Sequence, residues 1–239
     1  MRQITTEYLL KKRFQPLYWV VHGVVKPFVK CKVISEIEEV PSKAIVLSNH
    51  SGKGGPCAIR ASYPNKHIHW GAHEMLEGYK ERYKYLRDVF YIQKCKKGKF
   101  FSSIRSAFEA IFSPYMYRGL RILPVYTDVR FATTIKESSK ALDSNVSVVI
   151  YSEDSTDGYH EVLTKMHPGF ILLSDFYYKK THEDVPIIPI YTHCKKKKLA
   201  IGEPIYLQEL RKQNLNNEQI CDYLRDAINN LFYTKIKNA

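Results

Sequence analysis

Val146 to Tyr151 is an almost unbroken β-branched run, and no other stretch constrains the fold as tightly. Such a run is buried on both faces, which a central strand of a largely parallel sheet provides. Residues 44–48, 66–71 and 186–191 read as further strands, with shorter ones at 32–37, 199–201 and 204–206. Residues 121–126 carry Pro124, which removes a ladder donor and so marks an edge strand or a strand end. Between the strands, helical patterns begin at Cys57 and cover His73 to about Leu86, Phe100 to Phe112, Thr133 to Leu142 and Pro168 to Tyr178. Ser113-Pro114 is expected to end the third of these. The last helix is marked by Ile220, Tyr223, Leu224, Ala227, Ile228, Leu231 and Phe232 on one face, with Asn216 as its N-cap. This alternation predicts an α/β fold, a mixed and mostly parallel sheet flanked by helices. Without an internal repeat or a linker, the 239 residues read as an N-terminal amphipathic helical segment (1–31) and one α/β domain (32–239).

Residues 7–30 read as amphipathic helix, with Tyr8, Leu9, Leu10, Leu17, Tyr18, Trp19, Val20, Val21, Val24, Val25, Phe28 and Val29 as the apolar part, Lys11, Lys12, Arg13, Lys26 and Lys30 flanking it, and Pro16 and Pro27 as expected breaks. That pattern suits a terminal helix packed on the domain, or a helix lying in a bilayer interface. No run of 18 apolar residues is present, so no spanning helix is expected. The start lacks the apolar core of a secretory signal. Five scattered cysteines with no CxxC pair fit a reducing cytosol and argue against a zinc ribbon. The net charge of +13 calls for an anionic partner. Nucleic acid is set aside, because no recognition motif for it occurs. His69 and His73 are four residues apart with Glu74 beside the second, a spacing that raises the question of a metal site. Trp70-Gly71 interrupts any single helix there and no HExxH pattern is present, so no metal site is expected.

Ile45 to Ser48 delivers Asn49-His50 to the end of a buried strand, and Ser51-Gly52-Lys53-Gly54-Gly55 follows as a turn. A histidine there is either a cap or a proton acceptor, since its unperturbed pKa of about 6.5 lies near neutrality. The glycine turn reads as a plain tight turn or as a nest of amides for an anion. It is not a Walker A loop.

Asn49-His50, then Arg121-Ile122-Leu123-Pro124-Val125, then the loop Tyr151-Ser152-Glu153-Asp154-Ser155-Thr156, then Val185-Pro186-Ile187-Ile188-Pro189 occur in that order. Order and spacing resemble the glycerolipid acyltransferase family, over about residues 40 to 205. The resemblance implies transfer of an acyl group from acyl-CoA or acyl-carrier protein to the hydroxyl of a lysophospholipid, glycerol phosphate or related acceptor, with no bound cofactor. It implies His50 as general base and Glu153 as its polar partner. Asn49, Lys53, Gly54, Gly55, Arg121, Asp154, Ser155 and Thr156 would shape the substrate site. It further implies a peripheral protein on the cytoplasmic face of the cell membrane, touching anionic lipid. Two positions depart from the family pattern. Gly55 stands where the family has the aspartate that orients the histidine, and Thr156 stands where it has an arginine for the acceptor phosphate. Glu153, Asp154 or Glu74 would have to replace the first; Lys53, Arg121, Arg130 or Lys165 the second. The alternative is an acyl-binding or lipid-binding protein on the same fold with impaired transfer.

Overall fold

The computed structural model describes residues 4–11, 14–52 and 54–237. Lys12, Arg13 and Lys53 lie outside the described residues. In chain order the elements are α1 (Thr6–Leu10), α2 (Pro16–Val29), β1 (Lys32–Ser35), β2 (Ile45–Ser48), α3 (Gly54–Ser62) and β3 (His67–Ala72). A 3-10 turn (His73–Leu76), α4 (Tyr79–Lys84) and a π-helical segment (Tyr85–Lys94) lead into α5 (Lys99–Gly119). Then come β4 (Ile122–Val125), α6 (Phe131–Asp143), β5 (Ser147–Ile150), α7 (Gly169–Thr181), β6 (Ile187–His193), β7 (Lys198–Ile201), α8 (Leu207–Lys212) and α9 (Asn217–Leu231). A second π-helical segment, Phe232–Lys237, follows α9.

The seven strands form one sheet in the order β1-β7-β6-β2-β5-β3-β4. Five strands, β6, β2, β5, β3 and β4, are mutually parallel, and β7 joins β6 antiparallel with β1 parallel to it. The sheet is thus mixed and mostly parallel, and β4 with Pro124 is an edge strand, the first of the two placements its proline suggests. Side chains alternate between two cores, which is why the strands read as continuous apolar runs. Ile45, Leu47, Val148, Ile150 and Ile187 face one core, with α6, α7 and α9. Val46, Val149, Ile188 and Ile190 face the other, with Ala58 and Ile59 of α3 and Tyr63 just after it. Asn216 caps α9 in a reciprocal box with Gln219.

Four local expectations are corrected. Ser113-Pro114 does not end α5. Proline offers no N–H to the carbonyl of Ala110, and Nε of Arg82 donates to that carbonyl instead, at 2.9 Å, so the helix continues to Gly119. The single helix expected over His73 to Leu86 is broken by Gly78, whose extended backbone caps α4. Pro16 opens α2 at its first turn, but Pro27 sits in its last turn and leaves the helix intact. Tyr223 is half exposed and leaves the α9 stripe, which is Ile220, Leu224, Ile228 and Leu231.

Candidate active site

β2 and β5 are neighbours, so their C-terminal ends deliver Asn49-His50 and Tyr151-Ser152-Glu153 to one place. Asn49 is buried and pairs with the main chain of Thr192. Its Oδ1 accepts from Thr192 N at 2.8 Å and its Nδ2 donates to Thr192 O at 3.0 Å. The side chain thereby continues the β2–β6 ladder past Ser48, where the backbone of β2 turns away. Asn49 holds the strand end in place, and the next residue inherits that precision.

Ser51 and Gly52 both take left-handed backbone angles, φ 45° and 64°. That reversal brings the carbonyl of Gly52 to 2.8 Å from His50 Nδ1. A carbonyl only accepts, so Nδ1 carries the proton and Nε2 is left as the bare base. Gly55 explains why no carboxylate does this job. A Cβ at position 55 would lie 2.0 Å from the carbonyl oxygen of His50, so the turn as built admits no side chain there.

Glu153 comes to His50 without touching its ring. Oε2 accepts from the main-chain N of His50 at 2.9 Å and so ties the two strand ends together. Burial pushes its carboxyl above the usual range, against the pull of its amide partners and of Lys94. Burial likewise pushes His50 down to about 4, helped by the charge of Lys94 and opposed by the Gly52 bond. The imidazole is therefore neutral at physiological pH. It is held between the rings of Tyr151, 4.9 Å away, and Tyr159, 5.1 Å away. The hydroxyl of Tyr151 is fixed in turn by Nδ1 of the fully buried His69, at 2.9 Å.

His50 lies in the wall of a cavity of about 400 Å³. The other walls are Trp70 and Gly71 of β3, Leu86 and Phe90 of the π-helical segment, and Phe112 and Met116 of α5. An apolar cleft of this size with one base in its wall suits a hydrophobic ligand whose reactive end must meet His50.

Asp154 accepts from the N and Oγ1 of Thr156, at 3.1 and 2.7 Å, in a local turn, and these bonds hold its carboxyl below the usual range. Ser155 is buried and its carbonyl accepts from Gly158 N. The 154–158 loop is thus beside the site but closed on itself. Gly54 opens α3 above the thiol of Cys194. Arg121 stands before β4 with φ 58°, and the groups that act on its guanidinium are Arg60 and Tyr18 rather than those around His50. Arg130 is exposed and paired with Asp128 at 2.7 Å. Glu74 faces His73. His69 is on β3 and His73 in the 3-10 turn. Among the described residues no group of three or more His, Cys, Asp or Glu is placed to hold a metal ion.

Two groups at the site escaped sequence reasoning. The Gly52 carbonyl carries no side-chain signal at all. In the sequence Lys94 only opens the basic turn 94–99, which reads as a solvated charge run or as a membrane contact beside the Phe100 to Phe112 helix. In the structure its ammonium lies 5.9 Å from the centroid of the Tyr159 ring, the ring that also packs on His50. Burial pulls its pKa down while Glu153, Asp154 and Glu74 support its charge.

No protein-family model matches the chain, and no curated protein matches it. Among solved structures, the chain is similar to the 1-acyl-sn-glycerophosphate (LPA) acyltransferase PlsC from Thermotoga maritima. The identity is 11%, the TM-score is 0.49, and the match covers 97% of this chain and 87% of that one.

Proposed function

We propose that this chain is an acyltransferase of the glycerolipid type, with His50 as general base. The observation that carries the reading is a neutral imidazole whose Nδ1–H is fixed by the Gly52 carbonyl and which borders an apolar cavity large enough for a ligand. Nε2 takes the proton of the acceptor hydroxyl as that oxygen attacks the carbonyl carbon of an acyl thioester. The tetrahedral intermediate then expels the thiolate, which leaves with the proton held on Nε2. The acyl group passes directly from the thioester sulfur to the acceptor oxygen and only the proton passes through His50, so the step needs no cofactor. Acyl-CoA or acyl-carrier protein is the donor. The acceptor is a lysophospholipid, glycerol phosphate or a related alcohol, and the protein works at the cytoplasmic face of the cell membrane.

Glu153 and Asn49 act as positioning residues, each on the main chain at a strand end. Among the described residues Lys94 is the cation best placed for an acceptor phosphate, because it and His50 share one tyrosine ring. The main-chain amides at the glycine-rich start of α3 are candidates for the oxyanion.

One observation favours a second reading. A carbonyl orients the imidazole as an aspartate does, but brings no charge to stabilise an imidazolium. Losing the orienting carboxylate of a serine-protease triad costs about 10⁴ in rate. A protein that binds acyl chains or lipid with little turnover is the alternative. Thiol release from acyl-CoA and acyl-carrier protein, measured against a panel of lysophospholipid, glycerol phosphate and monoacylglycerol acceptors, decides between them. The enzyme reading predicts transfer to at least one acceptor and its loss in His50→Ala. Acyl-CoA binding with no transfer to any acceptor would leave the second reading standing.

A further inference from the structure

The wall of the His50 cavity is apolar except at a few points, and at most of them the polar atom is bonded within the protein. Nε1 of Trp70 donates to Ser138 Oγ at 2.8 Å. The hydroxyl of Tyr151 is held by His69. The carboxylate of Glu109 accepts from Tyr91 and Arg105, at 2.6 and 3.0 Å, and Ser113 Oγ donates to the Ala110 carbonyl at 3.5 Å. Three phenols in the same wall differ. They are Tyr85 at the start of the π-helical segment, Tyr117 near the end of α5, and Tyr159 beside His50. Among the described residues, no group of the protein gives a hydrogen bond to these three hydroxyls or takes one from them.

The three hydroxyls form a group. Their side chains all pack on the cluster of Met75, Leu86, Phe90 and Ala110. Tyr85 and Tyr117 lie within electrostatic reach of each other and of Tyr159. Burial pushes Tyr85 up to about 12 and lifts Tyr117 and Tyr159 above the usual tyrosine value, so all three stay protonated. Each is therefore a neutral group that can both donate and accept. Leu86 and Phe90 on one side, with Met116 and Leu120 on the other, surround them with hydrocarbon, which suits a chain rather than a charged headgroup. A plain hydrocarbon chain would drive water from the hydroxyls and return no bond, a loss of about tenfold to a hundredfold in binding for each one stranded. A chain that carries its own oxygen restores the bond. A site built to bond a hydroxyl discriminates strongly against the analogue that lacks it.

We propose that the His50 cavity selects acyl chains bearing an oxygen function, a hydroxyl or oxo group, and that Tyr85, Tyr117 and Tyr159 are the residues that read it. That the ligand is an acyl chain rests on the acyl-transfer reading; the preference for oxygen rests on the wall alone. The test compares the wild type with a Tyr85→Phe, Tyr117→Phe, Tyr159→Phe variant, which keeps every ring and removes three oxygens. In one arm, thiol release is measured with a plain acyl-CoA and with the β-hydroxy and mid-chain hydroxy acyl-CoAs of the same length. In the other, the donor is plain and the lysophospholipid acceptor carries the plain or the hydroxylated chain. The wild type prefers a hydroxylated chain by about tenfold or more in kcat/KM in one arm, which identifies the chain that lies in the cavity. In the variant that preference shrinks to less than about threefold. The ratio is the readout, so a general loss of activity does not imitate the result. A wild type that uses plain chains as well as every hydroxylated one would overturn the proposal, and so would a variant that keeps the preference. Calorimetric binding of the free hydroxy and plain fatty acids separates this outcome from the fate of the acyl-transfer reading. If no acceptor is acylated, tighter binding of a hydroxy acid that the variant loses upholds the selection while the transfer reading fails. Equal binding of the two acids would overturn the selection whether or not transfer occurs.

Discussion

Helices α9 and α5 carry equally regular apolar stripes, and the fold uses them in opposite ways. In α9 the stripe of Ile220, Leu224, Ile228 and Leu231 is sealed against the sheet. In α5 the large side chains face outward and serine and alanine face inward. The residues between the stripes explain the difference. The back of α9 is Glu218, Asp222, Arg225, Asp226 and Asn230, which water solvates. The back of α5 is Ser102, Ser106 and Ala110, small enough to let the π-helical segment approach closely. Periodicity therefore reveals a stripe, while the opposite face of the helix says what medium the stripe is meant for.

The largest effect that sharpens this contrast is Leu224→Ala. It leaves a cavity in the sheet-packed core and should cost about 2–5 kcal/mol, read from urea unfolding. A loss below about 1 kcal/mol would mean that α9 is not the core helix described.

Next is the response to acid. His50 and His67 are pushed down to about 4 by burial, and His69 lies well below its usual value for the same reason. Unfolded histidines titrate near 6.5, so below that pH the unfolded chain binds the extra protons. Stability is then full above about pH 6.5 and falls as pH drops toward 4, by at most about 1.4 kcal/mol per pH unit for each histidine. Unfolding midpoints that are flat between pH 7 and 5 would contradict the buried, neutral state of these rings.

Gly55→Asp comes third. It supplies the carboxylate that the turn lacks, yet its Cβ would meet the His50 carbonyl at 2.0 Å. It should destabilise by about 1–3 kcal/mol and lower transfer rather than raise it. A gain in transfer would mean that the Gly52 carbonyl is a poor substitute and that the turn relaxes easily.

The smallest effect in solution belongs to Ile104→Ser, with unfolding unchanged to within about 0.5 kcal/mol. A stability loss matching that of Leu224→Ala would show that the exposed stripe of α5 is covered by the chain itself.

Much of this was written in the sequence. The β-branched run of β5, the cap at Asn216 and the delivery of Asn49-His50 to a strand end all follow from local chemistry. What escaped depends on contacts made through space. The Gly52 carbonyl reaches His50 only because two successive residues turn left-handed. α5 passes through Pro114 because Arg82, thirty-two residues earlier, takes the orphaned carbonyl of Ala110. Lys94 meets the site because the π-helical segment roofs the cavity, and nothing in residues 85–94 announces such a segment. The strand ends were legible, and the roof over them was not.

The central claim is that His50 is a neutral base at the wall of an acyl cavity. Its most direct test is the pH dependence of acyl transfer by the wild type and by His50→Ala, followed as thiol release from acyl-CoA. The account predicts loss of about 10² to 10⁴ in rate on substitution, and wild-type kcat/KM that holds from pH 7.5 to 5.5 because the base is already deprotonated. Equal rates in the two proteins, or a wild-type rate that halves near pH 6.5, would contradict it.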